Sequence, residues 1–231
     1  MISTVSWCLR VLLAAGGMLV VAVPNASAAD NKAKSIQQKT IVVIGASYAK
    51  SWPVTTLDGL AVSNKGAGGE QTHEVLARFD QDVIAARPGA VLIWGFINDI
   101  FRSEPEELKT KLVRSRENIR SMVDKARSKG IIVILATEVT LPASTGWTAW
   151  LGKLREKQNY REYINGHVIE MNQWVRALAA EKKLVILDFE KVLADQDGSR
   201  KREFTTEDGT HLSDKAYDAL TRYAQDRKLL N

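Results

Sequence analysis

Residues 41–52 read "IVVIGASYAKSW", and this stretch sets the expectation for the fold. Four β-branched apolar residues, Ile41–Ile44, run directly into Gly45-Ala46-Ser47. A short apolar run that meets a glycine in this way predicts a buried strand that stops at a sharp turn. Ser47 at the tip of that turn is either a nucleophile held at a strand end or a polar turn residue, and the stretch alone favours neither.

Similar apolar runs recur along the chain and alternate with helical patterns. The predicted strands are Ile41–Ile44, Leu60–Ser63, Ala90–Trp94, Ile131–Ala136 and Leu184–Leu187. The predicted amphipathic helices are Glu106–Lys129, Arg161–Glu181 and Ser213–Arg227, the last with Ser213 as its N-cap. Apolar strands that alternate with helices predict an α/β fold with a parallel sheet covered on both faces. Such sheets place functional residues just past the carboxyl ends of the strands, where Ser47 is expected.

The first 28 residues differ in composition from the rest of the chain. Arg10 is their only charged residue, the run Val11–Val23 is apolar, and Ala26-Ser27-Ala28 supplies small residues. This layout predicts a signal peptide over residues 1–28, because a transmembrane anchor needs roughly 20 apolar residues. Residues 29–231 are then expected to form one domain of a secreted or periplasmic protein.

Composition narrows the class of protein further. With 231 residues, 45% hydrophobic and 26% charged, the chain suits one globular domain and not a disordered or fibrous protein. The single cysteine, Cys8, precedes the apolar run, so it is not placed for lipid attachment and leaves no disulfide in the mature chain. The basic clusters Arg200–Arg202 and Lys125–Lys129 are short, which favours solvated helix faces; an anionic envelope polymer remains an alternative, and nucleic acid is not expected.

A catalytic serine needs a base that takes its proton, and the mature chain offers three histidines. His211 follows Asp208 by three residues, a spacing that lets the carboxylate reach the imidazole Nδ1 in a tight loop. The alternative is that Asp208-Gly209 forms a turn and His211 is a surface residue. His73 and His167 fall in helical patterns and have no carboxylate at a comparable spacing.

Candidate donors for an oxyanion follow the second and third predicted strands. The first of these loops contains Gly66, Gly68 and Gly69, and glycine lets a backbone N–H approach a substrate closely. The alternative is that these glycines only make the turn into the next helix. Asn98-Asp99 follows the third strand, where the Asn98 amide can donate a hydrogen bond, although Asn-Asp is also common in turns.

Taken in order, these four segments resemble the SGNH (GDSL-type) hydrolase/esterase family. The family's Gly-Asp-Ser block is matched at Gly45 and Ser47. Its later blocks are matched by Asn64, Gly66, Gly69 and Thr72, then by Asn98 and Asp99, then by Asp208 and His211. Two positions depart from the pattern: Ala46 replaces the aspartate, and Phe96 stands where a glycine is expected. The resemblance extends from residue 41 to about residue 217.

The resemblance implies a flavodoxin-like three-layer α/β/α sandwich with a five-stranded parallel sheet. It makes residues 29–231 a catalytic domain in which Ser47, Asp208 and His211 form the catalytic triad. It assigns the oxyanion hole to the N–H groups of Ser47 and Gly69 and to the Asn98 side chain. The implied activity is that of an exported serine esterase that works through an acyl-enzyme, and deacetylation of a carbohydrate or cell-envelope polymer is included in this expectation.

The substrate is expected to be a small-molecule, polysaccharide or lipid ester, with no cofactor, no metal, no nucleic acid and no membrane span after signal cleavage. Trp52, Phe96, Trp147 and Trp150 are candidate substrate contacts, and packing in the core or in loops is the alternative for them. Two other functions remain open. One is an O-acyltransferase that uses the same residues, and the other is a non-catalytic envelope binding protein with the same fold.

Overall fold

The computed structural model describes residues 39–143 and 153–230, and a six-stranded sheet forms its centre. The strands are β1 (Thr40–Gly45), β2 (Thr56–Leu57), β3 (Leu60–Gly66), β4 (Ala90–Trp94), β5 (Ile132–Ala136) and β6 (Val185–Leu187). Their order across the sheet is β2-β3-β1-β4-β5-β6. All neighbours are parallel except β2 and β3, so the predicted parallel α/β architecture is confirmed.

The prediction of five strands was wrong by one edge strand. β2 pairs antiparallel with β3 through a tight turn at Asp58-Gly59, whose φ angles are 47° and 74°. Two positive φ angles in an Asp-Gly pair are typical of the hairpin turn that joins antiparallel neighbours. The dipeptide was the signal for this hairpin, but a two-residue strand is too short to show an alternation of apolar and polar residues.

Seven α-helices flank the sheet in the part of the chain that the structure describes. They are α1 (Ser47–Ser51), α2 (Thr72–Phe79), α3 (Ile97–Phe101), α4 (Pro105–Ser128), α5 (Lys153–Lys182), α6 (Phe189–Leu193) and α7 (Asp214–Gln225). A π-helical turn, Asp80–Ile84, continues α2, and a 3₁₀ turn spans Arg202–Phe204. The three long predicted helices are confirmed, although α5 begins at Lys153 and not at Arg161. Ser213 caps α7 as predicted, since its side chain accepts a hydrogen bond from the Ala216 N–H.

The central strands are buried on both faces. Ile41–Ile44 and Ala90–Leu92 are at most 1% exposed, which is the pattern of a parallel sheet covered by helices. Each fully buried side chain of this kind contributes about 1.5–3 kcal/mol from the hydrophobic effect. No helix among residues 39–143 and 153–230 is long and apolar enough to cross a membrane.

The strand register brings three loops to the same edge of the sheet. Gly45 at the end of β1 pairs with Gly66 at the end of β3 and with Trp94 at the end of β4. The segments that begin after these strands therefore start at one level. The predicted signal peptide, residues 1–28, and the candidate substrate contacts Trp147 and Trp150 lie outside the described residues.

Candidate active site

Ser47 begins α1, one residue after the turn that ends β1, and it is half-buried. The turn is close-packed, because a Cβ built on Gly45 would lie 1.7 Å from the carbonyl oxygen of Trp94. Ala46, which stands where the family has aspartate, is 4% exposed. A Cβ built on Gly95 would lie 3.6 Å from the Ala46 Cβ, so residue 46 packs against the turn that follows β4.

Asn64 fixes the far end of α1. Its Nδ2 donates to the carbonyl oxygens of Ala49 at 2.8 Å and Trp52 at 3.2 Å, and its Oδ1 accepts from the Gly66 N–H at 2.9 Å. The last carbonyls of a helix have no partner within the helix, so this amide supplies one from the neighbouring strand. Asn64, the first residue of the second matched block, therefore supports the serine-bearing helix from the neighbouring strand.

Hydrogen bonds link the segments that carry the two candidate oxyanion donors, Gly69 after β3 and Asn98 after β4. Gly69 has a φ of +80°, a left-handed conformation that favours glycine. The Asn98 side chain, 9% exposed, donates through Nδ2 to the carbonyl oxygen of Glu70 at 2.9 Å. Gln71 returns a bond from its Nε2 to the Asn98 carbonyl at 3.2 Å. The Asn98 amide is thus locked beside the backbone that carries Gly69.

Asp99 ties the same two loops together below the surface. Its carboxylate accepts from the Thr72 N–H at 2.9 Å and from the Thr72 hydroxyl at 2.7 Å, and Asn118 donates to that hydroxyl at 3.0 Å. Burial raises the pKa of Asp99, and the two bonds from Thr72 oppose that shift. Asp99 and Thr72 therefore serve to position Asn98 and are not themselves at the surface.

The Asp208–His211 loop adopts the arrangement that its spacing predicts. Asp208 Oδ2 lies 2.6 Å from His211 Nδ1, while Oδ1 accepts from the N–H groups of Thr210 at 2.6 Å and His211 at 2.9 Å. The Thr206 and Thr210 hydroxyls donate to the same oxygen at 2.9 Å. Burial would raise the pKa of Asp208, but these hydrogen bonds outweigh it and hold the pKa well below the usual range.

An ionised Asp208 fixes the state of the imidazole. A carboxylate only accepts hydrogen bonds, so Nδ1 of His211 carries the proton and Nε2 is left as the free acceptor. The His211 ring also lies edge-on to the Tyr48 ring, with the centroids 6.5 Å apart, and Tyr48 directly follows Ser47. The imidazole is thus next to the turn that bears the serine.

The other two histidines lie in helices, as predicted. His73 is exposed in the first turn of α2, and His167 lies in α5 with its Nδ1 3.5 Å from Glu170 Oε2. Among contacts within residues 39–143 and 153–230, His211 is the only one of the three whose ring makes a hydrogen bond to a carboxylate.

The expectation that Trp52 contacts substrate is corrected by its burial. Trp52 is 2% exposed, and its indole N–H donates to the Thr221 hydroxyl at 2.8 Å. Its ring packs against Trp94 and Phe189 at centroid distances of 5.8 and 5.4 Å. The position soon after the serine therefore reflects a packing role, which joins α1 to α7.

Phe96 is likewise placed in the core, where it is 2% exposed. Its N–H donates to Oε1 of Glu138 at 3.1 Å. Glu138, two residues past the end of β5, is 1% exposed, and burial raises its pKa to about 7. Sequence reasoning missed Glu138, although a charged residue shortly after an apolar strand was the available signal.

Two further residues beside the site were also missed. Tyr48 and Arg200 are 4% and 2% exposed, and both donate to the carbonyl oxygen of Thr210 at 2.8 Å. Arg200 belongs to a short basic cluster, Arg200–Arg202, and such a cluster predicts a solvated face and not burial. Among the described residues, no group of three or more His, Cys, Asp or Glu side chains could hold a metal ion.

The arrangement supplies the parts that ester chemistry needs. A carboxylate–imidazole pair can take and return a proton, a hydroxyl begins a helix beside it, and amide donors lie at the neighbouring strand ends.

Comparisons with known proteins agree with this geometry. The GDSL-like Lipase/Acylhydrolase family model matches residues 44–219. Solved structures with the same fold include a G-D-S-L family protein from Desulfitobacterium hafniense, 26% identical over 81% of this chain and 98% of that one, with a TM-score of 0.63. A GDSL-like lipase from Bacteroides thetaiotaomicron is 21% identical over 87% and 94%, with a TM-score of 0.64.

An acetylxylan esterase from Geobacillus stearothermophilus, solved as a catalytic mutant, is 20% identical over 80% of this chain and 91% of that one, with a TM-score of 0.57. No curated protein matches the chain significantly in sequence. The family match spans most of the chain and includes Ser47, Asn98, Asp208 and His211. The chain therefore belongs to the GDSL-like lipase/acylhydrolase family and is an ester-hydrolysing serine hydrolase.

Proposed function

We propose that this enzyme is exported and cleaves a carboxylic ester through an acyl-enzyme, with O-acetyl esters of a carbohydrate or cell-envelope polymer as its substrates. The observation that carries the proposal is the 2.6 Å contact between Asp208 Oδ2 and His211 Nδ1 beside the serine-bearing turn. It leaves Nε2 of His211 as the base that a serine nucleophile requires.

In the first step, the Ser47 oxygen attacks the ester carbonyl and its proton passes to His211 Nε2. The carbonyl π electrons move onto oxygen, and this oxyanion accepts from the N–H groups of Ser47 and Gly69 and from Asn98 Nδ2. An amide NH₂ has two hydrogens, so the bond from Asn98 to the Glu70 carbonyl leaves one for the oxyanion. That bond also aims the remaining N–H, which is the preorganisation that stabilises developing charge.

Collapse of the tetrahedral intermediate breaks the bond to the leaving alcohol, which takes the proton from His211. Water then attacks the acyl-enzyme, gives its proton to His211 and releases the acid, and the proton returns to Ser47. Asp208 stays ionised throughout, because the hydrogen bonds to it keep its pKa well below its usual range. It orients the imidazole and stabilises the imidazolium that forms in each half-reaction.

The acetylated carbohydrate is proposed from two supports. One similar structure is that of an acetylxylan esterase, at 20% identity. The layout of residues 1–28, an apolar run followed by Ala26-Ser27-Ala28, is that of an export signal, which would bring the enzyme to extracellular or envelope polymers. Mass spectrometry of the protein from a bacterial periplasm should then give an N-terminus at Ala29, and retention of residues 1–28 would contradict export with cleavage.

A fluorophosphonate probe tests the nucleophile directly. Wild-type protein should become labelled, Ser47→Ala should not, and the matched control Ser128→Ala, at the distant end of α4, should label like wild type. Absence of label on wild type, or equal label on Ser47→Ala, would overturn the acyl-enzyme. The same result would favour the binding protein that the sequence left open. Hydrolysis measured with an acceptor sugar present separates the esterase from the O-acyltransferase.

A further inference from the structure

Two exposed cations flank the loop that carries Gly69. A Cβ built on Gly69 would lie 2.7 Å from Nη2 of Arg102, and one built on Gly68 would lie 3.9 Å from Cδ of Lys50. Lys50 is also on α1, three residues after Ser47. Neither cation makes an ion pair or a side-chain hydrogen bond with any residue of the described chain.

The carboxylates near this loop are already engaged. Glu70 pairs with Arg78 at 2.8 Å, and Glu74 accepts from the Gln71 N–H at 2.8 Å as part of the cap of α2. Asp99 is buried against Thr72. The rim beside the candidate oxyanion hole is therefore positive. The Arg102 guanidinium and the Lys50 ammonium have N–H donors there that are available to a ligand.

We propose that Lys50 and Arg102 form an anion subsite, which selects esters that carry a carboxylate or phosphate close to the reacting carbonyl. The inference rests on the proposed esterase function and adds the charge of its substrate. Arg102 lies against the glycine that supplies the oxyanion N–H, so the anion it binds belongs to the same substrate molecule. A charged hydrogen bond of this kind is stronger than a neutral one, and an arginine can form two in parallel with a carboxylate or phosphate.

Two substrate pairs test the subsite and locate the charge. 4-Nitrophenyl acetate against 4-nitrophenyl hydrogen succinate places the charge on the acyl group, and O-acetylated xylan against O-acetylated polygalacturonate places it on the alcohol. Wild type should prefer the anionic member of at least one pair in kcat/KM. That preference should fall about tenfold in Lys50→Gln/Arg102→Gln, and it should weaken at about 0.5 M NaCl because salt screens exposed charges.

The matched control is Arg114→Gln/Lys129→Gln, which removes two exposed cations from α4 and its end. This control variant should hydrolyse both esters of each pair with the kcat/KM of wild type. Equal wild-type rates for anionic and neutral esters, or a preference that survives in Lys50→Gln/Arg102→Gln, would overturn the subsite and leave the esterase intact. No hydrolysis of any ester and no fluorophosphonate label would overturn the proposed function and the subsite together.

A second inference comes from a separate set of contacts, beneath the Asp208–His211 loop. The Tyr48 hydroxyl and Arg200 Nη2 both donate to the carbonyl oxygen of Thr210 at 2.8 Å. Tyr48 is the neighbour of Ser47, and Thr210 is the neighbour of His211. One carbonyl oxygen therefore joins the segment of the nucleophile to the segment of the base.

The Tyr48 side of this connection is rigid. Tyr217 donates from its hydroxyl to the Tyr48 carbonyl at 3.2 Å, and the Arg200 guanidinium lies 6.0 Å from the Tyr48 ring centroid. Burial raises the pKa of Tyr48 to about 12, so its hydroxyl remains a donor at neutral pH. Arg200 is 2% exposed, and a buried charge is costly unless its contacts compensate. An apolar side chain would avoid that cost but could not donate to the carbonyl, and a lysine would keep the charge without the fixed donor geometry of a guanidinium.

We infer that Tyr48 and Arg200 are positioning residues that set the distance between Ser47 and His211 through the Thr210 carbonyl. The inference rests on the proposed function and assigns no contact with substrate. The loop has few other long-range bonds: most hydrogen bonds to Asp208 come from residues 206–211 themselves. Release of the Thr210 carbonyl would let the imidazole drift while the Asp208–His211 pair stays formed.

Tyr48→Phe removes one hydroxyl and keeps the ring. It should lower kcat and the rate of fluorophosphonate labelling together by about tenfold, since small misplacements of a catalytic group are costly, with KM within about twofold of wild type. Tyr223→Phe is the matched control, since its hydroxyl accepts from the Asp188 N–H at the far end of the sheet. It should leave kcat and labelling unchanged.

Arg200→Lys should retain more activity than Arg200→Met, because a lysine can still donate to the carbonyl. If wild type labels and Tyr48→Phe labels at the same rate, the positioning role is overturned and the esterase is not. A rise in KM with an unchanged kcat would also overturn it, because that result indicates a substrate contact. Unlabelled wild type would overturn the proposed function and this inference with it.

Discussion

The two halves of the candidate site are held in different ways. Ser47 and Asn98 follow the ends of the buried strands β1 and β4, Gly69 follows the neighbouring strand β3, and bonds between distant segments fix these loops, such as Asp99 to Thr72 and Asn98 to Glu70. The Asp208 and His211 side chains are 49% and 54% exposed, and the bonds that shape their loop come mostly from the loop itself.

This difference separates two consequences of mutation. On the nucleophile side, buried residues and hydrogen bonds of the core position the catalytic groups. Substitutions of these supporting residues should therefore lower the free energy of unfolding. On the acid–base side the bonds to Asp208 come from the loop itself, and the buried Tyr48 and Arg200 contact the loop at the Thr210 carbonyl. Changes to the Asp208 and His211 side chains should therefore lower turnover with a smaller loss of stability.

The largest expected loss of turnover comes from Asp208→Asn. The Asn Oδ1 can still accept from the Thr210 and His211 N–H groups, but its NH₂ faces Nδ1 and favours the wrong imidazole tautomer. The corresponding change in the serine protease triad lowers kcat by about 10⁴, and a loss of about 10³–10⁴ is expected here. Steady-state kinetics measures the loss, and thermal unfolding at neutral pH should show only a small fall in Tm, because the half-exposed Asp208 carboxylate bonds residues of its own loop. A large fall in Tm would show that the loop is part of the cooperative fold.

Asn98→Ala should lower kcat by about 10²–10³, the usual cost of one oxyanion donor. The variant also loses the bond to the Glu70 carbonyl, so its Tm should fall slightly as well. Asn165→Ala is the matched control, because Asn165 also bonds the backbone of a neighbouring segment, at Leu141, but away from the serine. Full activity in Asn98→Ala would remove Asn98 from the oxyanion hole.

The same comparison explains how much could be predicted from sequence. Asp208 and His211 are three residues apart, so the spacing allowed their contact and left a plain surface turn as the alternative, and the family resemblance favoured the contact. The order of strands and helices and the strand-end position of Ser47 also followed from local patterns. The connection from Tyr48 to Thr210 spans 162 residues, and no local pattern reports which buried side chain will meet a distant carbonyl. The sequence therefore left Trp52 open between a substrate contact and a packed side chain and placed Arg200 on a solvated face, since the burial of both depends on contacts among α1, α7 and the loop before α7.

Gly66→Ala tests the nucleophile side without touching a catalytic group. A Cβ at residue 66 would lie 2.2 Å from the backbone nitrogen of Lys50, so α1 or β3 must move. The expected cost is about 3 kcal/mol in the free energy of unfolding, measured by urea denaturation. Gly166→Ala is the control, because its Cβ would meet nothing within 4 Å in the middle of α5; it should stabilise by about 0.5–1 kcal/mol. Equal stability of both variants would contradict the tight packing of α1 on β3.

The smallest expected effect is a pH dependence of stability that arises from Glu138, on the nucleophile side. Burial raises its pKa from 4.5 to about 7, so the folded protein binds this proton more tightly than the unfolded chain does. Folding is therefore favoured when Glu138 is protonated, and its contribution to stability is lost as the pH rises from about 4.5 to about 7. Asp208 acts with the opposite sign, because its lowered pKa removes stability as the pH falls below its ordinary range.

Comparison of wild type with Glu138→Gln isolates the first effect, since Asp208 is common to both proteins and cancels in the difference. The Tm of wild type relative to Glu138→Gln should decline between about pH 4.5 and pH 7 and be flat above that range. The control is Asp82→Asn, which changes a partly exposed carboxylate paired with Arg78. The Tm of wild type relative to Asp82→Asn should not decline over the same pH interval. A difference between wild type and Glu138→Gln that stays constant across the interval would mean that Glu138 is ionised in the core. The turn at Phe96 would then be held by a buried charge. The nucleophile side would depend less on apolar packing than its contrast with the exposed acid–base loop indicates.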